Sequence, residues 1–338
     1  MKSLAHSVLR ALADGEFHSG EALAQAAGMS RASVWHAIRE LEAAGLTVYK
    51  VRGRGYRLEV SMELLDAGAI VRALGDRAAD FTVEVVDTIA STNTALLQKP
   101  HARHATVLAA ESQTAGRGRL GRAWQSGIGG SLTFSLLWRF ERGAGWLGGL
   151  SLAAGVATVR VLRRHGMAEA GLKWPNDILW RGCKVAGILI DMQGDALGPS
   201  TAIIGIGVNV RLPASVRERI DHGVADVETA SGSPVDRNHL LAELLVELRA
   251  TLSAFAREGL VPLREEWREY HVYEGRRVEV RRPDGAAERG VAAGIADDGA
   301  LLLETSRGVQ RYHSGDVSLR PEGRDERPAR PAANARPS

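Results

Sequence analysis

The residues best suited to chemistry stand in one short stretch, residues 111–124, in which three glycines alternate with three arginines (ESQTAGRGRLGRAW). Glycine lets the backbone come close to a ligand with its N–H groups pointing inward, and the guanidinium group of arginine matches phosphate or carboxylate oxygens two at a time. We therefore expect an anion-binding loop here, with a solvated basic loop as the alternative. The candidate contacts are Gly116, Arg117, Gly118, Arg119 and Arg122.

The same stretch also matches the dinucleotide-binding pattern G-x-G-x-x-G, between Gly116 and Gly121. A dinucleotide fingerprint must open a helix directly after a strand. The preceding TVLAAES is typical of a strand, but the following RAWQSGIGGSLTFS is rich in glycine and then strand-like, without a helical period. The sequence therefore argues against a nicotinamide or flavin fold.

A further candidate cation lies in residues 171–194, GLKWPNDILWRGCKVAGILIDMQG. Two strand-like runs in this segment flank an Arg-Gly dipeptide, which predicts a two-residue hairpin. In that pairing Leu179 faces Lys184, and Asp177 lies diagonally beside Lys184 on the same face of the sheet. Because Lys184 stands among small and apolar residues, we expect the floor of a ligand pocket. A surface ion pair across the hairpin is the alternative.

The elements around these residues alternate between strands and helices, and small polar residues follow two of the strands. Ser91, Thr92 and Asn93 end the strand-like run FTVEVVDTIA and precede a helix, so they can cap that helix or bind a ligand. Asn209 stands where the buried run IIGIGV leaves the sheet.

The first sixty residues predict a different kind of surface. Three short helical segments precede LTVYKVRGRGYRLEV, which alternates as a hairpin does, and this order is typical of a winged helix-turn-helix. Between Ser30 and Arg57 six basic residues stand against two acidic ones, a local net charge of +4, which predicts contact with DNA phosphates. A winged helix used only for protein contact or regulation is the alternative. The candidate DNA-binding residues are Arg31, Ala32, Trp35, His36, Arg39, Arg52 and Arg54.

Composition sets the broad class of the protein. The 338 residues, 45% hydrophobic and 25% charged, are enough for two or three domains, and no apolar run is long enough to cross a bilayer. The start lacks the order of a signal peptide, so we expect a cytoplasmic protein. The one cysteine, Cys183, fits that expectation and is interpreted as a small strand residue rather than a reactive thiol.

Taken together, the segments resemble the biotin protein ligases, specifically the long bacterial members that also repress biotin genes. The resemblance covers about residues 1–320. It is carried by STN at 91–93, the Gly/Arg loop at 111–124, KWPND at 173–177, GCKVAGILI at 182–190, GIGVN at 205–209 and the winged helix.

The resemblance implies an α+β multidomain fold. It has an N-terminal winged helix-turn-helix DNA-binding domain (1–60) and a central mixed α/β biotin- and ATP-binding catalytic domain of the class II synthetase/lipoate ligase type (61–271). A C-terminal SH3-like β barrel (272–320) follows. The proline-containing remainder, residues 321–338, is expected to be a disordered tail.

The implied activity is a two-step ligation with biotin, ATP and Mg²⁺. Biotin and ATP form biotinyl-5′-AMP, and biotin then passes to a lysine of a biotin carboxyl carrier protein of acetyl-CoA carboxylase. The family also implies a biotinyl-AMP-dependent homodimer that binds operator DNA and represses biotin biosynthesis genes, with no membrane partner. The alternatives are a DNA-binding sensor without ligase activity and a lipoate-type acyl ligase.

The family motifs also imply roles for individual residues. Lys184, Asp177 and Arg119 are the implied catalytic residues, and Asp177 either binds Mg²⁺ or orients the acceptor lysine. The implied biotin contacts are Ser91, Thr92, Asn93, Gln113, Arg117 and Lys184. The implied ATP or adenylate contacts are Gly116, Arg117, Gly118, Arg119, Arg122, Trp124, Lys173, Asn176 and Asn209. The loop departs from the family at Thr114, where relatives often carry glutamine, and at Leu120, which interrupts the arginines.

Overall fold

The structure is a computed structural model that describes residues 3–195, 197–218, 220, 223–282, 285–314 and 318–322. Most of the expected tail, residues 323–338, lies outside these described residues. Its first residue, Pro321, differs from the expectation because it ends the last strand, where it pairs with Val278.

The N-terminal segment folds as the sequence predicts. Helices α1 (Ser3–Leu12), α2 (Gly20–Ala26) and α3 (Arg31–Ala43) precede a hairpin of β1 (Val48–Val51) and β2 (Gly55–Leu58). The hydroxyls of Ser19 and Ser30 cap α2 and α3 by accepting hydrogen bonds from backbone N–H groups of the first turn. The apolar stripe of α3 is buried against α1, which leaves the opposite face of α3 at the surface.

The remaining elements form two sheets and the helices that cover them. They are α4 (Ala67–Leu74), β3 (Thr82–Ile89), α5 (Thr92–Leu97), β4 (Thr106–Gln113), β5 (Ser131–Phe140), α6 (Leu150–Arg164), β6 (Ala170–Lys173), β7 (Asp177–Trp180), β8 (Cys183–Gly194), β9 (Ser200–Asn209), α7 (Ala214–Arg217), α8 (Val227–Ser231), α9 (Arg237–Glu258), α10 (Arg264–Tyr270), β10 (Arg277–Arg281), β11 (Ala287–Ile295), β12 (Leu301–Thr305), β13 (Gly308–Tyr312) and β14 (Ser318–Pro321).

Seven strands form the central sheet in the order β3-β4-β5-β9-β8-β7-β6, in which β3 and β4 are parallel and the other neighbours antiparallel. Helices α6 and α9 pack together over the large core of this sheet, and the leucines that the sequence places at helical spacing along α9 are buried there. Helix α5 packs on a smaller cluster with Leu108, Leu137 and Ile203. This arrangement confirms the predicted mixed α/β layer structure.

The hairpin of β7 and β8 has the predicted turn. Arg181 and Gly182 both adopt left-handed conformations, with φ of 48° and 81°, as a two-residue turn between twisted strands requires. Leu179 faces Lys184 as predicted, and a bulge in β8 follows, so Asp177 lies opposite Gly187. The bulge adds one residue to β8, which the sequence pattern did not indicate.

Helix α4 begins later than predicted. The sequence predicts a short helix around Ser61 to Leu74, whereas the structure has α4 only from Ala67, with the carboxylate of Asp66 as its cap. The reason is tertiary: the backbone N–H of Leu65 donates to Glu111 and that of Asp66 donates to Asn238. These side chains hold Leu65 and Asp66 outside the helix.

The C-terminal strands form a five-stranded antiparallel sheet in the order β13-β12-β11-β10-β14, in agreement with the predicted small β domain. Its apolar residues belong to the same hydrophobic core as the central sheet. Buried Trp174 reinforces this junction by donating from its indole Nε1 to the carbonyl of Gly299, at 3.1 Å. Among the described residues, no helix combines the length and hydropathy needed to cross a membrane.

Candidate active site

A cavity lies over the middle strands of the central sheet, between β8, β9, the start of α5 and the Gly/Arg loop. The structure brings most of the predicted ligand-binding residues to its wall. These are Ser91, Thr92, Asn93, Gln113, Arg117, Gly118, Arg119, Trp124, Asn176 and Lys184. The other predicted residues lie beside the cavity rather than in its wall, namely Gly116, Arg122, Lys173, Asp177 and Asn209.

Lys184 and Asp177 form the predicted pair. The ammonium Nζ of Lys184 lies 2.5 Å from Oδ1 of Asp177, and both side chains are about one-fifth exposed. The ammonium also lies 5.7 Å from the centroid of the Trp124 ring, within the range of a cation–π contact. The alternative of a solvated surface ion pair is therefore not what the structure shows.

The backbone of Lys184 is held on both sides. Its N–H donates to the carbonyl of Gly223 and its carbonyl accepts from the N–H of Ala225, at 2.8 and 2.9 Å. Asn209 also donates from Nδ2 to the carbonyls of Lys184 and Ala225, at 3.3 and 3.2 Å. Asn209 is 2% exposed, so in this structure it positions the lysine rather than lining the cavity.

Polar side chains form a second wall. Gln113 Oε1 accepts from the N–H and the hydroxyl of Thr92, at 2.8 and 3.2 Å. Asn93 donates from Nδ2 to Asp191, at 2.9 Å, and its Oδ1 lies 2.5 Å from the hydroxyl of Ser135. Ser91 caps α5, as predicted, and also lines the cavity, whereas ligand binding by the Ser-Thr-Asn segment stays a prediction.

Two residues that hydrogen-bond to this wall from behind, Ser135 and Asp191, were not among the predicted residues. Ser135 is fully buried in β5 and also lies 2.6 Å from the hydroxyl of Thr92. A lone serine within the apolar run LTFSLLW is the signal by which the sequence could have indicated it. Asp191 stands near the end of a strand-like run, and no feature of the sequence indicates that it contacts the site.

Asp191 also binds the first arginine of the loop. The Arg117 guanidinium donates from both terminal nitrogens to the two carboxylate oxygens of Asp191, at 3.0 and 3.2 Å. This fork-to-fork geometry is the strong form of an arginine–carboxylate contact. It ties the loop to β8, and the sequence did not predict it.

The Gly/Arg loop is itself a narrow hairpin. The N–H of Gly118 donates to the carbonyl of Arg122 at 2.7 Å, and the N–H of Trp124 donates to the carbonyl of Gly116 at 2.9 Å. Leu120 forms the tip in a left-handed conformation, with φ of 54°. As predicted, a strand and not a long helix follows the loop.

Arg119 reaches from this loop to two other parts of the fold. Its guanidinium donates to Oδ1 of Asn176, at 3.3 Å, and to the backbone carbonyl of Ser314 in the C-terminal sheet region. Arg119 therefore joins the loop to the KWPND segment and to the C-terminal domain. Such a contact closes one side of the cavity.

Close packing around Trp124 explains the glycines of β8 and β9. A side chain at Gly207 would start 2.4 Å from the Trp124 ring, and one at Gly205 would start 2.1 Å from Asn93. The ring thus packs against Gly187 of β8 and Gly207 of β9, where the strands have no side chains. It leaves a cavity of about 60 Å³, far below the ~300 Å³ of an ordinary small-molecule site.

Lys173 supplies a further, unusual cation. Burial lowers the pKa of its ammonium group to about 8, and the positive charges of Arg320, Lys184 and Arg122 act in the same direction against the opposing effect of Asp177. Lys173 pairs in register with Asp177 across β6 and β7. Several cations thus converge on one carboxylate, an arrangement suited to an anionic ligand.

By contrast, Cys183 at the hairpin turn is not activated. Burial raises the pKa of its thiol, against a smaller effect of Arg217, so the thiolate is disfavoured. This agrees with its interpretation as a strand residue. Among the described residues no group of histidine, cysteine and acidic side chains could hold a metal ion.

Comparison with known proteins gives this geometry a context. The sequence matches the models of the Biotin/lipoate A/B protein ligase family over residues 85–209, the biotin protein ligase C-terminal domain over 274–320, and a helix-turn-helix domain over 5–57. It is 38% identical to the bifunctional ligase/repressor BirA of Salmonella typhimurium and 37% identical to that of Escherichia coli. These alignments cover 93% and 91% of this chain and 97% and 95% of the two relatives.

The chain belongs to the bifunctional ligase/repressor family of biotin protein ligases. The biotin protein ligase of Aquifex aeolicus, solved in complex with biotin and ATP, superimposes with a TM-score of 0.62 at 28% identity. The match covers 71% of this chain and 99% of that one.

In this ligase/repressor, the site is connected to the N-terminal domain by a buried ion pair that the sequence did not predict. Glu111 and Arg237 are each 3% exposed in their side chains and contact each other at 2.8 Å. Glu111 also accepts from the N–H groups of Leu65 and Gly129, and Arg237 also donates to the carbonyls of Glu63 and Ser131. The pair fixes the interdomain linker to the strand that leads into the loop.

A second connection is apolar. Ile128 follows the Gly/Arg loop in the chain, yet it is buried in the hydrophobic cluster of the winged helix, with Leu9 and Leu41. Met62 of the linker packs on the same cluster and lies against Gly129. The loop of the ligase site is thus anchored at its far end in the DNA-binding domain of the ligase/repressor.

The predicted DNA-binding residues lie at the surface of the winged helix. Arg31, Ala32, Trp35, His36 and Arg39 are exposed along α3, and Arg52 and Arg54 are exposed at the turn of the wing. Trp35, for which the sequence also allows packing on the wing, is 45% exposed. Arg54 instead lies over the ring of Phe17, 4.2 Å from its centroid.

Proposed function

We propose that this protein is a biotin ligase that converts biotin and ATP to biotinyl-5′-AMP and transfers the biotinyl group to a lysine of a biotin carrier protein. The observation that carries the proposal is that one cavity has two walls of different chemical character. One wall is cationic, with Lys184 and the loop arginines, and the other is a neutral hydrogen-bonding cluster around Thr92 and Gln113. Biotin has one anionic end and one neutral polar ring, so it needs both.

The first step brings two anions together. The carboxylate oxygen of biotin attacks the α-phosphorus of ATP, a P–O bond forms, and pyrophosphate leaves with the electron pair of the broken bond. Positive groups at the junction offset the repulsion and stabilise the charge that develops on phosphorus. We assign this role to Lys184 and Arg119, with Lys173 and Arg122 acting on the phosphates from outside the wall.

The neutral wall fits the ureido ring of biotin. A ureido group presents one carbonyl acceptor and two N–H donors, and hydroxyl and amide side chains can match both kinds of group. Ser91, Thr92, Asn93 and Gln113 supply these atoms. Ser135 and Asp191 orient them from behind.

The adenine ring requires a change at Trp124. Because the indole ring fills the space above Gly187 and Gly207, the cavity is too small for an adenylate. We infer that this ring moves aside when ATP enters and then stacks on adenine. Its Nε1 is buried without a hydrogen-bond partner among the described residues, so leaving this position breaks no hydrogen bond of that group.

The second step is aminolysis of the adenylate. The acceptor amine attacks the biotinyl carbonyl, an amide bond forms, and AMP leaves. Asp177 is suited to orient the incoming ammonium group or to take its proton, because its carboxylate stands at the cavity edge beside Lys184. Its fit to a magnesium site is poor, since it is paired with that lysine and belongs to no group of three or more histidine, cysteine or acidic side chains among the described residues. Mg²⁺ would enter with the ATP phosphates.

The decisive assay mixes the purified protein with biotin, MgATP and a biotin carrier domain. Incorporation of biotin into the carrier lysine is expected, and adenylation should prefer biotin when lipoate competes. A protein that binds DNA but transfers nothing would be the sensor without ligase activity. Preference for lipoate would instead favour the lipoate-type alternative.

We propose further that the protein represses biotin biosynthesis genes as a homodimer formed when biotinyl-AMP is bound. The basic, exposed face of the winged helix and the anchoring of Ile128 in its core support this proposal. A gel shift on DNA upstream of biotin-synthesis genes should strengthen with biotin plus ATP and weaken steeply with salt. DNA binding of equal strength with and without biotin and ATP would contradict the role of biotinyl-AMP as corepressor.

The cytoplasmic location stays a prediction.

Replacing Arg119 by glycine is expected to release biotinyl-AMP early, because Arg119 ties the loop to Asn176 and to the C-terminal domain. The free adenylate would then label lysines of bystander proteins without selection. Biotinylation of an added protein that lacks a carrier domain measures this effect. Arg103→Gly, at an exposed arginine outside the cavity wall, is the control; equal labelling by the two variants would show that the arginine does not retain the adenylate.

The affinity for ATP is expected to fall as the pH rises through about 8. Because burial lowers the pKa of Lys173 to about 8, its charge is present below that pH and is lost above it. Bound phosphates favour the charged form and move the midpoint upward. The loss should be on the order of tenfold, as for one charge-assisted hydrogen bond.

The KM for ATP in pyrophosphate exchange measures this profile without the acceptor lysine. Lys173→Arg should flatten it, since a guanidinium stays charged throughout. Lys99→Arg, at a lysine paired with Glu84 on the surface, should keep the wild-type profile. A profile that persists in Lys173→Arg would assign the pH dependence to another group.

A further inference from the structure

The exposed face of helix α3 carries one aromatic ring in contact with two basic side chains. The guanidinium carbon of Arg39 lies 5.1 Å from the centroid of the Trp35 ring, and the imidazole of His36 meets the ring edge-on at 4.9 Å. Trp35 and Arg39 are four positions apart, so they are neighbours on the helix surface. The ring is 45% exposed although a tryptophan normally buries most of its area.

This ring is not explained by the folding of the domain. The contacts that hold α3 in the core come from another stripe of the helix, with Val34, Ile38 and Leu41 fully or nearly fully buried. A large apolar side chain on the opposite face therefore costs exposed hydrophobic area without stabilising the domain. Its position is that of a side chain that contacts a partner.

The charge around the ring identifies the chemistry of that partner. Among the described residues, no carboxylate lies within ion-pair distance of Arg31, Arg52 or Arg54, which are exposed on α3 and on the wing of the same domain. Lys50 differs, since it is paired with Glu42 at 2.9 Å. Exposed cations without carboxylate partners on the same domain as an exposed ring match a duplex, whose phosphates flank the base edges of the major groove.

The contact between ring and guanidinium restricts which bases they can reach. A guanidinium fork matches O6 and N7 of guanine, and apolar side chains contact the C5-methyl group of thymine. Because Trp35 and Arg39 touch each other, the two bases must be adjacent. The ring also limits the conformations of Arg39 before DNA arrives, so less conformational entropy is lost on binding.

We propose that Trp35 and Arg39 read a thymine and a neighbouring guanine in each half-site, with Trp35 on the thymine methyl and Arg39 on the guanine. The inference rests on the proposed DNA binding and specifies the sequence feature that this site recognises. Arg31, Arg52 and Arg54 contact the flanking phosphates.

The test uses the full-length protein with biotin and MgATP. Binding sites are first selected from a random duplex library, and the T and G of the enriched half-site are then altered one atom group at a time. Deoxyuridine removes only the thymine methyl, and 7-deazaguanine removes only N7. Each change should weaken wild-type binding. A duplex that lacks both the thymine methyl and the guanine N7 should bind more weakly by a factor on the order of ten.

Variants assign these losses to the two side chains. Trp35→Ala should bind thymine and deoxyuridine sites equally, and Arg39→Met, which removes the donors, should lose its preference for guanine over 7-deazaguanine. Arg52→Ala is the matched control, since loss of a phosphate contact weakens all sequences alike and lowers the salt slope by about one. Circular dichroism of each variant verifies folding.

The possible outcomes distinguish failure of the proposed base contacts from failure of the repressor proposal on which they rest. Selected sites without adjacent T and G, or wild-type binding indifferent to the methyl group, would overturn the inference and leave the repressor proposal standing. Full thymine discrimination in Trp35→Ala would overturn it as well and would favour a protein partner for the ring. Failure of the wild-type protein to select any sequence would contradict the repressor proposal itself.

Discussion

Replacement of Lys184 by alanine is expected to slow formation of biotinyl-AMP by about 10²–10³-fold, the usual loss when one preorganised group that stabilises developing charge is removed. Lys184 is the cation on the floor of the cavity, and its backbone is clamped by Gly223, Ala225 and Asn209. Other cations cannot simply take its place, because each is held by different contacts. Single-turnover formation of the adenylate from biotin and MgATP measures the effect.

The variant needs controls because it leaves the Asp177 carboxylate without its partner at 2.5 Å. Lys184→Arg keeps the charge at this position and should recover part of the rate. Lys99→Ala removes an exposed lysine paired with Glu84 and should leave adenylation unchanged. DNA binding without ligands should survive in Lys184→Ala. Adenylation at the wild-type rate in that variant would remove Lys184 from the proposed mechanism.

Replacement of Arg237 by alanine should lower the free energy of unfolding by about 3–5 kcal/mol, the range for breaking a buried ion pair from one side. The reason is that Glu111 would remain charged at 3% side-chain exposure without its cation. The carbonyls of Glu63 and Ser131 would lose their donors at the same time. Urea unfolding followed by circular dichroism measures the change, which should be accompanied by weaker coupling of linker and ligase domain.

Arg257→Ala is the matched control on the same helix. Arg257 forms an exposed ion pair with Glu258, so its loss should change stability by less than about 1 kcal/mol. The double variant Glu111→Gln/Arg237→Ala should recover part of the loss, since the buried side chain is then neutral and its amide oxygen can still accept from one of the N–H groups of Leu65 and Gly129. Equal, small effects of Arg237→Ala and Arg257→Ala would show that the buried pair does not carry the stability assigned to it.

Local features of the chain determined much of the site. The Arg-Gly turn of the β7–β8 hairpin leaves two residues between the strands, and this length sets Leu179 opposite Lys184, whereas the bulge beyond it sets Asp177 opposite Gly187. The winged helix is similarly local, since the Ser30 cap and the 3.6-residue stripe of α3 lie within one short segment. The glycines and arginines of residues 111–124 indicated an anion-binding loop from composition and spacing.

Only the tertiary structure decided how the parts are joined. The fork between Arg117 and Asp191, the contact of Arg119 with Ser314 and the pair of Glu111 with Arg237 each connect residues far apart in the chain. Such contacts depend on the order of strands in the sheet and on where whole domains pack, and neither periodicity nor turn length encodes these. The residues of the Gly/Arg loop thus sufficed to predict an anion-binding loop. Its attachment to β8, the C-terminal sheet and the winged-helix core arises from long-range packing.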